Sequence, residues 1–225
     1  MPRTPLAAPD PAAPAAPVAK LVASQNRRRR RIVDAAVELA ASGGFEAVRL
    51  RDVAERSSVA LGTLYKYFHG KEDILLFAFN EGIARLEQSF AARPARGVTA
   101  LERVTAFFSR STRGMLHNPQ LGGALIRAMS GGDRETAAHI VGSNRRMARM
   151  LLAALRDRPI DPAESLDAFV PSETERELAD ALIGVWFAAL SGWLIGNVPD
   201  ADAITAKMQS AARLMLEGAR DALEL

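Results

Sequence analysis

No stretch of this chain alternates apolar and polar residues with the period of a half-buried strand, while one segment after another repeats its apolar residues every three to four positions. A chain patterned this way buries its apolar stripes by packing helix on helix, so the expected fold class is all-α. The stripes are separated by chemical stops: Gly43-Gly44, Pro94 with Gly97, Asn118-Pro119, Gly131-Gly132, the loop RPIDPAESLDAFVPS, and Val198-Pro199. They predict a first helix carrying Ile32, Ala35, Ala36, Leu39 and Ala40, then short helices over 50–56 and 61–67. A longer helix is predicted from Lys71 to Arg93, followed by helices near 98–117, 119–130, 133–157, 173–197 and 201–222.

Six of the twelve prolines fall in the first 17 residues, which suits a disordered or polyproline-like tail over 1–24 and not the apolar core of a signal peptide. No run approaches the roughly 18 consecutive apolar residues of a membrane span, so no membrane partner is expected and the location is read as cytoplasmic. With no cysteine, disulfides, thiolate zinc sites and a cysteine nucleophile are excluded. Charge is unevenly shared. Residues 1–71 hold 12 Lys/Arg against 6 Asp/Glu, and residues 72–225 hold 17 against 20. A basic front on a mildly acidic body predicts a polyanion partner for the front.

That front contains VALGTLYKYFHGKEDIL, residues 59–75, in which rings and polar groups crowd around Leu64 and Phe68. Two short helices and a tight turn plugged by Val59, with Ala54 small enough for close approach, make a helix-turn-helix over a head spanning 25–70. Its second helix would enter a major groove of duplex DNA. Gly62 lets the backbone come close, Thr63 suits a phosphate or a thymine methyl, and the hydroxyls of Tyr65 and Tyr67 suit phosphate. Lys71 stands at the next helix's N-terminus, where free N–H groups favour an anion. The run Arg27–Arg31, with Arg28 and Arg29 at its centre, suits a phosphate-neutralising arm, although it also fits a solvated helix start.

Residues 28–75, and GTLYKYF with Lys71 above all, resemble the TetR family of bacterial repressors, whose signature is G-x-L-Y-x-(H/Y)-F-x-x-K. The resemblance implies DNA contacts at Arg51, Leu61, Gly62, Thr63, Tyr65, Lys66, Tyr67 and Lys71. It also implies an N-terminal three-helix head on a C-terminal antiparallel helical domain, 71–225, for ligand binding and dimerisation. The usual threonine cap, turn glycine and serine cap are replaced by Arg49, Ser58 and Ala60; the two lost caps are worth about 1 kcal/mol each. Ala60-Leu61-Gly62 is similar to the KstR-like subgroup, repressors of cholesterol and lipid catabolism, which implies a fatty or steroidal acyl-CoA effector. A regulator of drug efflux sensing cationic or aromatic compounds is the alternative, and an architectural DNA-binding protein without effector a more remote one.

In the body, ELADALIGVWFAALSGWLIG is apolar on nearly every face. One stripe (Leu178, Leu182, Trp186, Ala189, Trp193) can face the core, and the small residues Ala181, Gly184, Ala188 and Ser191 leave the other free for a second copy. With Met208 and Met215 of the last helix they form the expected homodimer interface, with a helix buried wholly within one protomer as the alternative. Phe77, Phe107, Phe108, Met115, Met129, Met147, Met150, Trp186 and Phe187 are the expected lining of an apolar effector pocket, although such stripes also suit plain core. Arg127, Arg134, Arg145, Arg146 and Arg149 form a candidate basic patch for the phosphates of a CoA-like ligand, with a solvated arginine face as the alternative. His69, His117 and His139 lie far apart and lack metal-ligand spacing; no phosphate loop or nucleophile elbow occurs. No enzyme activity, metal or cofactor is expected.

Overall fold

The computed structural model describes residues 16–131, 137–219 and 223, and among them the regular elements are helices: α1 (Ala16–Ala47), α2 (Leu50–Arg56), α3 (Leu61–Leu64), α4 (Lys71–Ala92), α5 (Ala100–Leu116), α6 (Pro119–Ser130), α7 (Ala137–Leu155), α8 (Glu173–Leu194) and α9 (Ala201–Gly218). Three boundaries differ from expectation: α8 stops at Leu194 instead of 197, where Gly196 takes a φ of 82°, and the other two lie in the front of the chain. Helix α1 begins at Ala16, inside the stretch read as tail, because Pro17 is tolerated in a helix's first turn and residues 18–26 hold no further proline or glycine before the arginine run. Helix α3 is four residues long, and the chain reaches Phe68 through turns closed by Lys66 N–H to Thr63 O at 3.1 Å and Tyr67 N–H to Leu64 O at 2.9 Å.

Local chemistry sets the other ends. Gly44 adopts a φ of 71°, a left-handed conformation that kinks the end of α1. Thr99 with Glu102 and Ser172 with Glu175 form capping boxes on α5 and α8, and Asn118 and Asp200 cap α6 and α9. Arg49 and Ala60 supply no side-chain cap to α2 and α3, and Ser58 holds a φ of 53° where glycine would carry no strain.

Two apolar clusters organise the packing. The first joins Ile32, Val33 and Ala36 of α1, Val53 of α2, Leu64 of α3 and Ile74 to Ala78 of α4, and it also takes in Ala124 and Ala128 of α6. The second runs from Phe79 and Phe90 of α4 through Phe107 and Phe108 of α5, Met147 and Met150 of α7, and Leu182 and Trp186 of α8 to Met208 of α9. Helix α4 therefore belongs to both. Helix α6 docks along α1, where the Asn118 side-chain amide donates to Ala41 O at 3.1 Å. Helix α8 is long and apolar enough to cross a membrane by composition, but its Leu178, Leu182, Trp186 and Leu190 are buried in the second cluster.

The end of α7 is tied to the start of α8 by Arg156, which donates two hydrogen bonds to the Glu175 carboxylate. Burial pushes the Glu175 carboxyl up, but the Arg156 hydrogen bonds and the Ser172 N–H outweigh it and hold the group below its usual range. A folded-state pKa below the unfolded value stabilises the fold above the ordinary carboxylate range, about 4.3, and that stability disappears as pH falls through the lowered value. Arg156→Gln is expected to shrink the drop in melting temperature between pH 6 and pH 3, as read by circular dichroism.

Candidate nucleic-acid interface and ligand cavity

Helices α2 and α3 present one polar surface at the end of the molecule. Arg51, Gly62, Lys66 and Arg28 are exposed, as is Tyr65 at 53%; Thr63 is half-buried. Leu61 and Tyr67 are half-buried against the head cluster, so each offers only an edge. No Cβ at Gly62 would meet anything within 4 Å, so the glycine is not required by packing within the head. A surface of cations, hydroxyls and one bare backbone stretch on a short helix fits the wall and floor of a major groove.

Two of the expected DNA contacts have other work. The Arg29 guanidinium lies 4.3 Å from the Phe77 ring and 5.7 Å from Phe68, so it is a strut between α1 and α4. The Lys71 ammonium sits 3.9 Å over the Phe45 ring, donates to Phe45 O at 3.3 Å and lies 3.6 Å from Glu46. Arg127 meets the same corner, 3.3 Å from Glu46 and 5.2 Å from the Phe45 ring. The kink at Gly44 turns Phe45 and Glu46 toward α4 and α6, and the two cations clamp them there.

An apolar cavity of about 340 Å³ opens at the junction of head and body. Its wall includes Val37 of α1, Ala78, Gly82, Ile83 and Leu86 of α4, Ser111, Gly114 and Met115 of α5, Leu121 and Leu125 of α6, and Trp186 of α8. The Trp186 indole N–H is occupied by Thr112 Oγ1 at 2.8 Å, which fixes the ring as a wall. Of the nine expected lining residues, Met115 and Trp186 are there. Phe107, Phe108, Met147 and Met150 are buried core, and Phe77 belongs to the head's aromatic packing against Phe68. Met129 and Phe187 pack as partly buried edges of the clusters.

The expected basic patch is also taken apart. Arg146 and Arg149 both bind Glu87 of α4, Arg145 binds Asp167 at 2.7 Å, and Arg127 binds Glu46. Arg134 and the side chain of His139 lie outside the described residues. On the opposite side of the body, Ala181, Gly184 and Ala188 are exposed and Ser191 half-exposed, a small-residue face on α8. Met208 is fully buried and Met215 packs against the core, so α9 reaches the same face with Ala206, Lys207 and Ser210 instead.

A helix-turn-helix head joined by a shared helix to an all-helical body with an apolar cavity defines a ligand-sensing DNA-binding protein. Residues 32–77 match the N-terminal region of bacterial regulatory proteins of the tetR family, and residues 97–215 match the tetracyclin repressor-like C-terminal domain. The chain belongs to the tetR family of bacterial regulatory proteins. It is 33% identical to the HTH-type transcriptional repressor KstR of Rhodococcus jostii over 198 residues, 88% of this chain and 87% of that one. Among solved structures it is similar to a TetR transcriptional regulator from Rhodococcus, with a TM-score of 0.72, 27% identity, and coverage of 86% of this chain and 97% of that one. The fold is also that of Thermus thermophilus FadR, a repressor solved with lauroyl-CoA, at a TM-score of 0.64 and 22% identity over 84% of this chain and 94% of that one.

Proposed function

We propose that this protein is a cytoplasmic transcriptional repressor that binds an inverted-repeat operator as a homodimer and is released by an apolar effector of the acyl-CoA class. The observation that carries the reading is the position of the cavity. Its wall contains α1 of the head and the stretch of α4 that passes from one cluster to the other. A ligand entering it touches the elements that place α3. The acyl chain is supported by the apolar lining and by similarity to a repressor solved with lauroyl-CoA; the resemblance of Ala60-Leu61-Gly62 to the KstR-like subgroup brings a steroidal acyl group into the same class.

In a dimer joined through the small-residue face of α8 and the outer face of α9, two recognition helices sit about 34–36 Å apart in successive major grooves. Helix α4 transmits between cavity and head because its first half packs with α1 and α3 and its second half with α5 and α7. An acyl chain that spreads α4 from α6 alters the Phe45–Glu46 corner held by Lys71 and Arg127, and with it the angle of the head. Effector and operator then weaken each other by the same factor, as linkage requires.

The test is a footprint and anisotropy titration on the DNA flanking the gene, with oleoyl-CoA and a steroidal acyl-CoA as effectors and cationic drugs for comparison. One protected inverted repeat, released by an acyl-CoA, is the expected outcome. Release by the drugs alone would transfer the protein to efflux control. Gly114 lines the cavity with open space beyond its Cα. Gly114→Trp is therefore expected to raise the oleoyl-CoA concentration needed for release at least about tenfold while the operator is still bound.

A further inference from the structure

On the face of α5 turned away from the apolar cavity lies a second concavity, lined by none of the residues of that cavity or of the recognition surface. At 100° per residue, Thr105, Ser109, Arg110 and Arg113 project to one side of α5, and Ser111, Gly114 and Met115 to the other. The first set, the loop after α4 with Arg93 and Arg96, and the flank of α9 enclose an open cleft of about 1080 Å³. Four arginines line it, and none of them forms an ion pair among the described residues. The cleft's carboxylate, Glu102, accepts from the N–H groups of Val98 at 2.7 Å and Thr99 at 3.3 Å, and so is held in the cap of α5.

Arg110 is the centre of the arrangement. Its guanidinium lies 3.3 Å from the centroid of the Phe90 ring, and its Nη1 donates to Arg93 O at 2.7 Å, which fixes the fork in place. Its Nε and Nη2, together with Thr105 Oγ1, are buried without any hydrogen-bond partner. Burial, and after it the positive charge of Arg93, hold the Arg110 guanidinium below its ordinary value. Unpartnered buried donors are costly, and so are like charges gathered without a counter-ion. A fixed guanidinium fork beside further cations is the arrangement that recognises phosphate oxygens in pairs. The Arg113 Nη2 donates to Ser109 Oγ at 2.7 Å, which holds a second cation at the rim.

DNA is not the anion that fits. Helix α4 has 22 residues, so the cleft beyond its C-terminus lies about 30 Å along the helix from the head. We propose that this cleft is a second ligand site, taking the phosphate groups of a small phosphorylated molecule separate from the apolar effector. The proposal does not depend on which effector fills the apolar cavity.

The experiment is calorimetric titration of the full chain with sodium pyrophosphate, against sodium chloride at equal ionic strength. Saturable binding of one pyrophosphate per protomer is expected, weakened at least about tenfold by Arg110→Gln and by the Arg96→Gln/Arg113→Gln pair, and unchanged by Arg145→Gln. The paired variant alters exposed side chains only, so it carries the test if Arg110→Gln fails to fold. Absence of binding to the wild type, or equal binding by the cleft variants, overturns the proposal. A second titration starts from protein whose oleoyl-CoA binding has been measured and saturated. Pyrophosphate should still bind; its displacement would make the cleft the head-group end of the effector site and overturn the second-ligand reading. If oleoyl-CoA itself does not bind, the effector reading fails while the pyrophosphate result stands on its own.

Discussion

Gly62→Trp is expected to abolish operator binding, by more than about 100-fold, with the melting temperature unchanged. Gly62 is exposed on α3, and nothing stands within 4 Å of the position its Cβ would take, so the fold accepts a side chain there. The groove would not. A helix reads base edges by bringing its backbone against them, and an indole at this position would hold α3 several ångströms off. Every contact that depends on that approach goes at once: Thr63 to its phosphate or thymine methyl, and Lys66 and Tyr65 to the backbone. A hydrogen bond to a charged group such as phosphate is worth about 1.5–3 kcal/mol and a base-edge contact about 1–3 kcal/mol, so losing the set exceeds the roughly 2.7 kcal/mol of a 100-fold change. Tyr65→Phe removes a single hydroxyl contact from an exposed ring and is expected to weaken binding only about five-fold. Anisotropy with a labelled operator duplex, beside thermal melts of both variants, gives the comparison. Wild-type affinity in Gly62→Trp would take α3 out of the groove.

The helices were legible because their apolar period and their stops are local, and so was the head, whose Val59, Leu64 and Phe68 are buried as their spacing implies. The cations were not. Lys71 and Arg127 find Phe45 and Glu46 only because Gly44 kinks the end of α1, and the partners lie far off in sequence. Arg146 and Arg149 pair with Glu87 some sixty residues earlier, and no helical spacing announces that pairing. The cavity was misread for a different reason. Bulky aromatic and methionine side chains fill space, so Phe107, Phe108, Met147 and Met150 became core. Space was left where small residues follow one another on facing helices, Ala78 and Gly82 on α4 opposite Ser111 and Gly114 on α5. That small-residue signal was present in the sequence, but on α8 the same signal marks an outer face. Only packing separates the two meanings.

The same pairing that dissolves the expected basic patch makes Glu87 the position where one substitution does most harm. The Glu87 side chain is 2% exposed and Arg149 3%, and Arg149 also donates to Glu164 O at 2.8 Å. Arg146 reaches the other carboxylate oxygen at 2.6 Å. One carboxylate thus pairs with two guanidinium groups, each on its own oxygen, and ties α4 to α7. Glu87→Ala leaves both cations without it, one of them in the interior, and breaking a buried pair from one side costs about 3–5 kcal/mol. The expected result is a loss of that size in urea unfolding and a fall of roughly 10 °C in melting temperature for a chain of this length. Arg145→Ala, on the same helix but in an exposed pair with Asp167, is expected to cost less than about 1 kcal/mol. Replacing Glu87, Arg146 and Arg149 together by apolar residues of similar volume should recover most of the stability, because no unpaired charge is then left behind. That triple variant also separates stability from signalling. Glu87 lies one residue beyond Leu86 of the cavity wall, on the half of α4 that packs in the second apolar cluster. A variant that folds as well as wild type but needs more acyl-CoA to release its operator would show that the ion triad holds α4 for the switch as well as for the fold.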